Sequence, residues 1–119
     1  MLFRSKTRPA ETKFLMKGIV QPNCAGIGGL VAKDGPKNDK DWDKVVLNAT
    51  VLNELSYVLM DDGRCPDKDW ADACKTLREC STKVIEAAAA KKVDDAQAAF
   101  KGVLGACSAC HTAHKAKKK

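Results

Sequence analysis

A chain of 119 residues is the size of a single domain. Its composition, 45% hydrophobic but only 5% aromatic and rich in Ala, Leu, Val and Lys, favours helices and argues against alternating strands. The net charge of +6 carries no basic stripe interleaved with aromatics, which excludes a nucleic-acid binder, and no run of residues is long and apolar enough to span a membrane.

Residues 1–11 read as a loose lead-in of mixed charge with Pro9 and no periodicity. A first helix is expected over 12–34, with an apolar stripe of Leu15, Met16, Ile19, Val20, Ile27, Leu30 and Val31. Pro22 lies inside it and predicts a kink, or a break and restart, because proline lacks a backbone donor and crowds the preceding turn. Gly26, Gly28 and Gly29 weaken this helix and let a backbone or a flat ligand come close. Lys33 to Asp39, with Gly35-Pro36, reads as a turn.

The second helix is expected over 40–60, with a seam of Trp42, Val45, Ala49, Leu52, Ser56 and Leu59. The loop Asp61-Asp62-Gly63-Arg64-Cys65-Pro66 ends it. The third helix, 67–91, repeats the spacing at Trp70, Ala73, Leu77, Cys80, Val84 and Ala87. The fourth, 94–114, opens on Asp94 and Asp95, which suit the positive end of a helix. It continues through Ala96, Ala99, Phe100 and Val103 to Cys107, with Gly102 and Gly105 permitting close approach. Residues 115–119 form a basic tail, read either as a solvated end or as a patch facing an acidic redox partner or membrane surface. Four amphipathic segments with short connections predict an all-α, antiparallel up-down-up-down four-helix bundle.

The most informative stretch is Cys107-Ser108-Ala109-Cys110-His111, which reads C-x-x-C-H, the attachment signature of a c-type haem. Two thiols tether the vinyl groups and the histidine meets the iron. On a helix, Cys107 and Cys110 are three apart and share a face, and His111, four after Cys107 and one after Cys110, lets one turn supply both tethers and the ligand. The predicted cofactor is one covalent haem c. It belongs at the bundle end that holds the C-terminus of the fourth helix. A redox dithiol or half a zinc site are the competing readings; the adjacent histidine and the lack of a second C-x-x-C argue against both. Attachment implies an exported protein, in the periplasm or an equivalent compartment. Met1-Leu2-Phe3-Arg4 does not read as a signal peptide, so a leader is expected to lie outside this numbering.

A four-helix bundle with C-x-x-C-H near its end resembles the cytochrome c′ family, the class II c-type cytochromes. The resemblance covers about residues 12–115, on Phe100, Cys107, Cys110, His111 and the basic Lys115. It implies that the first helix supplies the distal side of the haem. Five-coordinate members place an apolar residue there and bind diatomic gases; low-spin members place a methionine there and carry electrons. Pro22-Asn23-Cys24, Arg64-Cys65-Pro66 and the loop spacing are similar to the NaxLS-type small paired cytochromes of anaerobic ammonium-oxidising bacteria. That similarity implies His/Cys ligation, gas binding and a dimer, including a heterodimer with a homologous subunit.

Met16, Val20 and Cys24 are spaced by four and share a face of the first helix. Cys24 is the expected distal iron ligand, with the ordinary buried cysteine as its alternative. Met16 is the alternative ligand or a core filler, and Val20 facing the iron would leave the sixth position open. Cys65 is paired with Cys74 as a disulfide candidate, because Cys80 lies about 20 Å along the third helix and reads as a core thiol. His114 reads as a surface histidine. Trp42 and Trp70 read as core, with Trp70 near the haem end. The expected function is a low-potential haem protein that binds or handles nitric oxide or carbon monoxide. A six-coordinate electron carrier with a Met or Cys distal ligand and a redox partner protein is the alternative. No acid–base pair or nucleophile arrangement points to an enzyme.

Overall fold

The computed structural model describes residue 9 and residues 12–61, 64–65 and 67–114, with side chains from Phe14 to Ser108 within those ranges and at Pro9. The described residues form four helices and no strand, packed as an antiparallel four-helix bundle. Helix α1 is assembled from Thr12–Leu15, a π-helical segment Met16–Val20, and Gln21–Val31. Helices α2, α3 and α4 run Asp39–Val58, Lys68–Ala89 and Val93–His114. No helix is long and apolar enough to cross a membrane among the described residues. The lead-in, apart from Pro9, and the tail 115–119 lie outside them.

The interruption expected at Pro22 takes a specific form. Pro22 sits in the first turn of the Gln21–Val31 segment, where a missing N–H costs little. In regular α geometry its ring would press on the carbonyl of Gly18. The turn before it widens instead: the Gln21 N–H reaches back five residues to the Met16 carbonyl. Asn23 Nδ2 caps the Ile19 carbonyl at 2.7 Å. The helix therefore continues through the proline without breaking.

The other boundaries follow from capping. Asn38 Oδ1 accepts the Asp41 N–H at 2.9 Å, and Asp67 Oδ1 accepts the Trp70 N–H at 3.0 Å. So α2 starts at Asp39 rather than Lys40, and Asp67 is the cap of α3 rather than its first residue. Helix α3 stops at Ala89, not Lys91, because Lys91 turns left-handed at φ 58°. Lys92 N–H then returns to the Ala87 carbonyl and Lys91 N–H to that of Ala88, a Schellman closure. Helix α1 likewise stops at Val31, short of 34, where Ala32 becomes extended and Lys33 takes φ 56°. Gly35 follows at φ 84°, and a Cβ there would collide with Val93 at the start of α4.

The seam expected for α2 is buried at every position: Trp42, Val45, Ala49, Leu52, Ser56 and Leu59. The seam of α3 differs from expectation. Trp70, Leu77, Val84 and Ala87 are buried, but the fully covered positions between them are Cys74 and Ser81, not Ala73 and Cys80. Cys80 is half-buried, its sulfur lying against Gly102 of α4, where a Cβ would stand 2.5 Å from it.

Ser81 is inward because α2 and α3 share a polar clamp. Asn53 Nδ2 faces the Arg78 carbonyl at 3.0 Å, Ser81 Oγ at 3.2 Å and Thr82 Oγ1 at 3.1 Å. Arg78 Nε donates to Ser56 Oγ at 3.1 Å, and its guanidinium stacks 3.8 Å from the centre of the Tyr57 ring. Asn53→Ala removes the central donor beside the buried Ser81 and is expected to lower stability by about 1–3 kcal/mol, read as a lower urea midpoint at unchanged slope.

Two ends result. At one, Gln97 Nε2 of α4 donates to the carbonyls of Val31 (2.6 Å) and Lys33 (3.0 Å) at the end of α1, and Lys91 pairs with Asp39 at 2.6 Å. The other gathers the start of α1, the end of α2, the start of α3 and the last turns of α4.

Candidate cofactor-binding cavity

At that second end the helices line a small, half-open apolar cavity. Its walls are Met16 and Val20 from α1, Leu59 after α2, Trp70, Ala73, Cys74 and Leu77 from α3, and Ala106 and Cys107 from α4. It offers about 30 Å³, room for about one water. The lining is nearly free of polar surface, so what it favours is an apolar group, not a hydrated one.

Each wall residue is placed by a local cause. Met16 and Val20 both belong to the π-helical segment of α1. Trp70 follows the Asp67 cap, and its indole Nε1 donates to the Leu59 carbonyl at 2.8 Å, which fixes the ring across the end of α2. The short link between α2 and α3 is held from beneath by Arg64, only 1% exposed, whose guanidinium donates to the Val58 carbonyl at 3.2 Å. Nothing in the sequence marked Arg64 as inward; an arginine in a polar loop ordinarily points to water. Leu59 and Leu77 were legible as seam residues, whereas Ala106 was not singled out.

Helix α4 is continuous to His114, so Cys107, Cys110 and His111 do share a single helical stretch. Cys107 is the member of the motif whose side chain is described; those of Cys110 and His111, like that of His114, lie outside the described residues. Cys107 is half-buried, on the cavity wall, and hydrogen-bonded to the thiol of Cys24 from α1. This contact raises the pKa of Cys24, since ionising it would break the bond; burial and the adjacent charge of Cys107 push the same way. The same hydrogen bond lowers the pKa of Cys107, against the opposing effect of burial.

Cys24→Ala removes this contact, and the pKa of Cys107 should move up. Alkylation of Cys107 in the purified chain, followed by mass spectrometry across a pH series, should therefore show its midpoint at higher pH in the variant than in the parent.

Cys65, Cys74 and Cys80 are free thiols. Cys65 Sγ faces the Asp67 carbonyl at 3.4 Å as a thiol, and Cys74 is buried on the cavity wall. The structure thus brings together Met16, Val20, Cys74 and Cys107, and sets Cys24 against Cys107 beside them. Among the described residues no three His, Cys, Asp or Glu side chains cluster to hold a metal ion. No family model, curated protein or solved structure matches this chain.

Proposed function

We propose that the chain is a monohaem c-type cytochrome of cytochrome c′ architecture that handles a diatomic gas, nitric oxide foremost. The observation that carries this reading is the position of C-x-x-C-H on the last turns of α4, with Cys107 on the wall of an apolar cavity where all four helices converge. The residues fit a flat, apolar, covalently tethered group in chemistry. Thiols are present at helical spacing, an indole is locked in the wall, and the lining carries almost no polar surface to leave unpaired.

In this reading Cys107 and Cys110 are the tethers and His111 the proximal ligand. A bound haem would supply a redox-active iron able to take up nitric oxide or carbon monoxide. The apolar wall of Val20, Leu59, Trp70 and Leu77 keeps water out. Cys24 is the proposed distal ligand, and a thiolate there would hold the potential low. A second reading has its own observation: Met16 lies on the cavity wall, whereas Cys24 lies against Cys107. With Met16 as ligand the protein is a six-coordinate electron carrier of higher potential. An exported location, a redox partner protein, a dimer and a non-enzymatic role accompany both readings.

The test is electron paramagnetic resonance with the visible spectrum of the oxidised, haem-loaded protein. A low-spin signal with thiolate charge-transfer bands supports Cys24, and a methionine-type band supports Met16. A high-spin signal means an open, gas-binding site. No Soret absorption in protein made alongside haem-attachment machinery would sink both readings.

A further inference from the structure

The inward line of α1 changes phase at its widened turn. From there on, Val20, Ile27 and Val31 are buried and form one stripe of a regular helix. At about 100° per residue, carrying that regular helix back before Val20 would set Lys17 about 60° from the stripe and Leu15 about 140° from it. The burial runs the other way. Leu15 is half-buried against the core, whereas Lys17 and Gly18 are exposed. The Gln21 N–H bonded to the Met16 carbonyl accounts for this, because such a turn takes in one residue more than an α turn. Counted with that extra residue, Leu15 falls about 40° from the stripe and Lys17 about 160°. Met16 stays within about 60° of the stripe on either count, and it lies on the cavity wall with Val20.

We propose that Pro22 is the positioning residue for the α1 wall of the cavity. By holding the turn wide it fixes the phase of the residues before it, so that Leu15 turns inward and Lys17 outward. The cause is steric and local. Pro22 has no N–H to give the Gly18 carbonyl, and its ring would press on that carbonyl in a regular turn. An alanine has neither defect, and the turn can close. The consequence for the cavity is one of charge. Its lining carries almost no polar surface, and an ammonium swung towards it would lose water without gaining a partner. On the haem reading the same amine would also be a competing nitrogen donor for the iron; this last consequence alone rests on that reading.

Hydroxyl-radical footprinting of the purified full-length chain, mapped by mass spectrometry, reads the phase residue by residue. Two variants are compared with the parent: Pro22→Ala, and Pro22→Ala with Gly18 deleted. A Cβ on Gly18 would meet nothing, so its deletion takes away the extra residue without costing a packing contact. In Pro22→Ala, labelling of Leu15 is expected to rise several-fold and that of Lys17 to fall, with the helical circular dichroism of the parent retained. The added deletion should return both to parent levels, since a regular turn then gives the parent's phase. A general loss of stability would not reverse in this way. Parent-like labelling in Pro22→Ala would overturn the proposal, as would a deletion variant no closer to the parent than the single variant. If Pro22→Ala fails to fold, folding restored by the deletion supports the proposal, and failure of both variants overturns it. Visible spectra of protein made alongside haem-attachment machinery separate this outcome from the function. The expected labelling in a chain with no Soret band keeps the role of Pro22 and removes the haem reading. A Soret band with parent-like labelling in Pro22→Ala does the reverse.

Discussion

His111→Ala in the haem-loaded protein is expected to leave haem covalently bound while abolishing the parent ferric spectrum. On the proposed haem reading, attachment would need only the two thioethers from Cys107 and Cys110, which the substitution does not touch. Axial ligation from α4 needs the imidazole, and no other histidine can take the role without distortion: His114 is three residues further along the same helix and the only other one in the chain. The measurement is a pyridine haemochrome assay for attachment beside the visible and electron paramagnetic resonance spectra of the oxidised protein. Unchanged spectra would mean that His111 is not the proximal ligand. Loss of haem altogether would mean that the motif needs the histidine for attachment.

The second large effect concerns the cavity wall. Trp70→Ala in the haem-free chain should cost about 3–5 kcal/mol, the range for deleting a buried aromatic. Trp70 is 3% exposed and spans from α3 to the end of α2 through its indole hydrogen bond to Leu59. Trp70→Phe keeps most of the ring volume but leaves the Leu59 carbonyl without its donor, for about 1–3 kcal/mol. Urea denaturation of the three proteins gives both numbers. Equal losses for Ala and Phe would assign the effect to the hydrogen bond; a loss below about 1 kcal/mol for Ala would mean that the wall collapses onto the gap.

Much of the bundle was legible because its seams are dominated by residues with one preference. In α2, Trp42, Val45, Leu52 and Leu59 leave no doubt about the inward face. In α3 the phase rests on small residues that suit either side: Ala73 against Cys74, Cys80 against Ser81. A serine looks like the poorer core residue until Asn53, on another helix, supplies its partner. That is tertiary information, absent from any local spacing. Pro22 announced an interruption, but whether a helix breaks or widens depends on the turn before it and on the Asn23 side chain. At the candidate site, Met16, Val20, Trp70 and Cys107 were found by helical spacing and by the motif. The Cys24–Cys107 contact and the inward Arg64 were not. A contact between the chain's two ends and a buried arginine both depend on how the elements meet.

The Asn53 clamp has one more consequence, which concerns alignment. Helices whose facing surfaces repeat every three or four residues have near-equivalent pairings one turn apart, displaced by about 5.4 Å. Apolar contacts alone discriminate poorly between them. Sliding α3 by one turn would strip Asn53 Nδ2 of Ser81, Thr82 and the Arg78 carbonyl together, and would part Arg78 from Ser56 and from Tyr57. A polar group at a single seam position is the best-attested way of choosing one pairing among several. Asn53 acts as such a detent, holding the two central helices at the one offset that brings Leu59 level with Trp70.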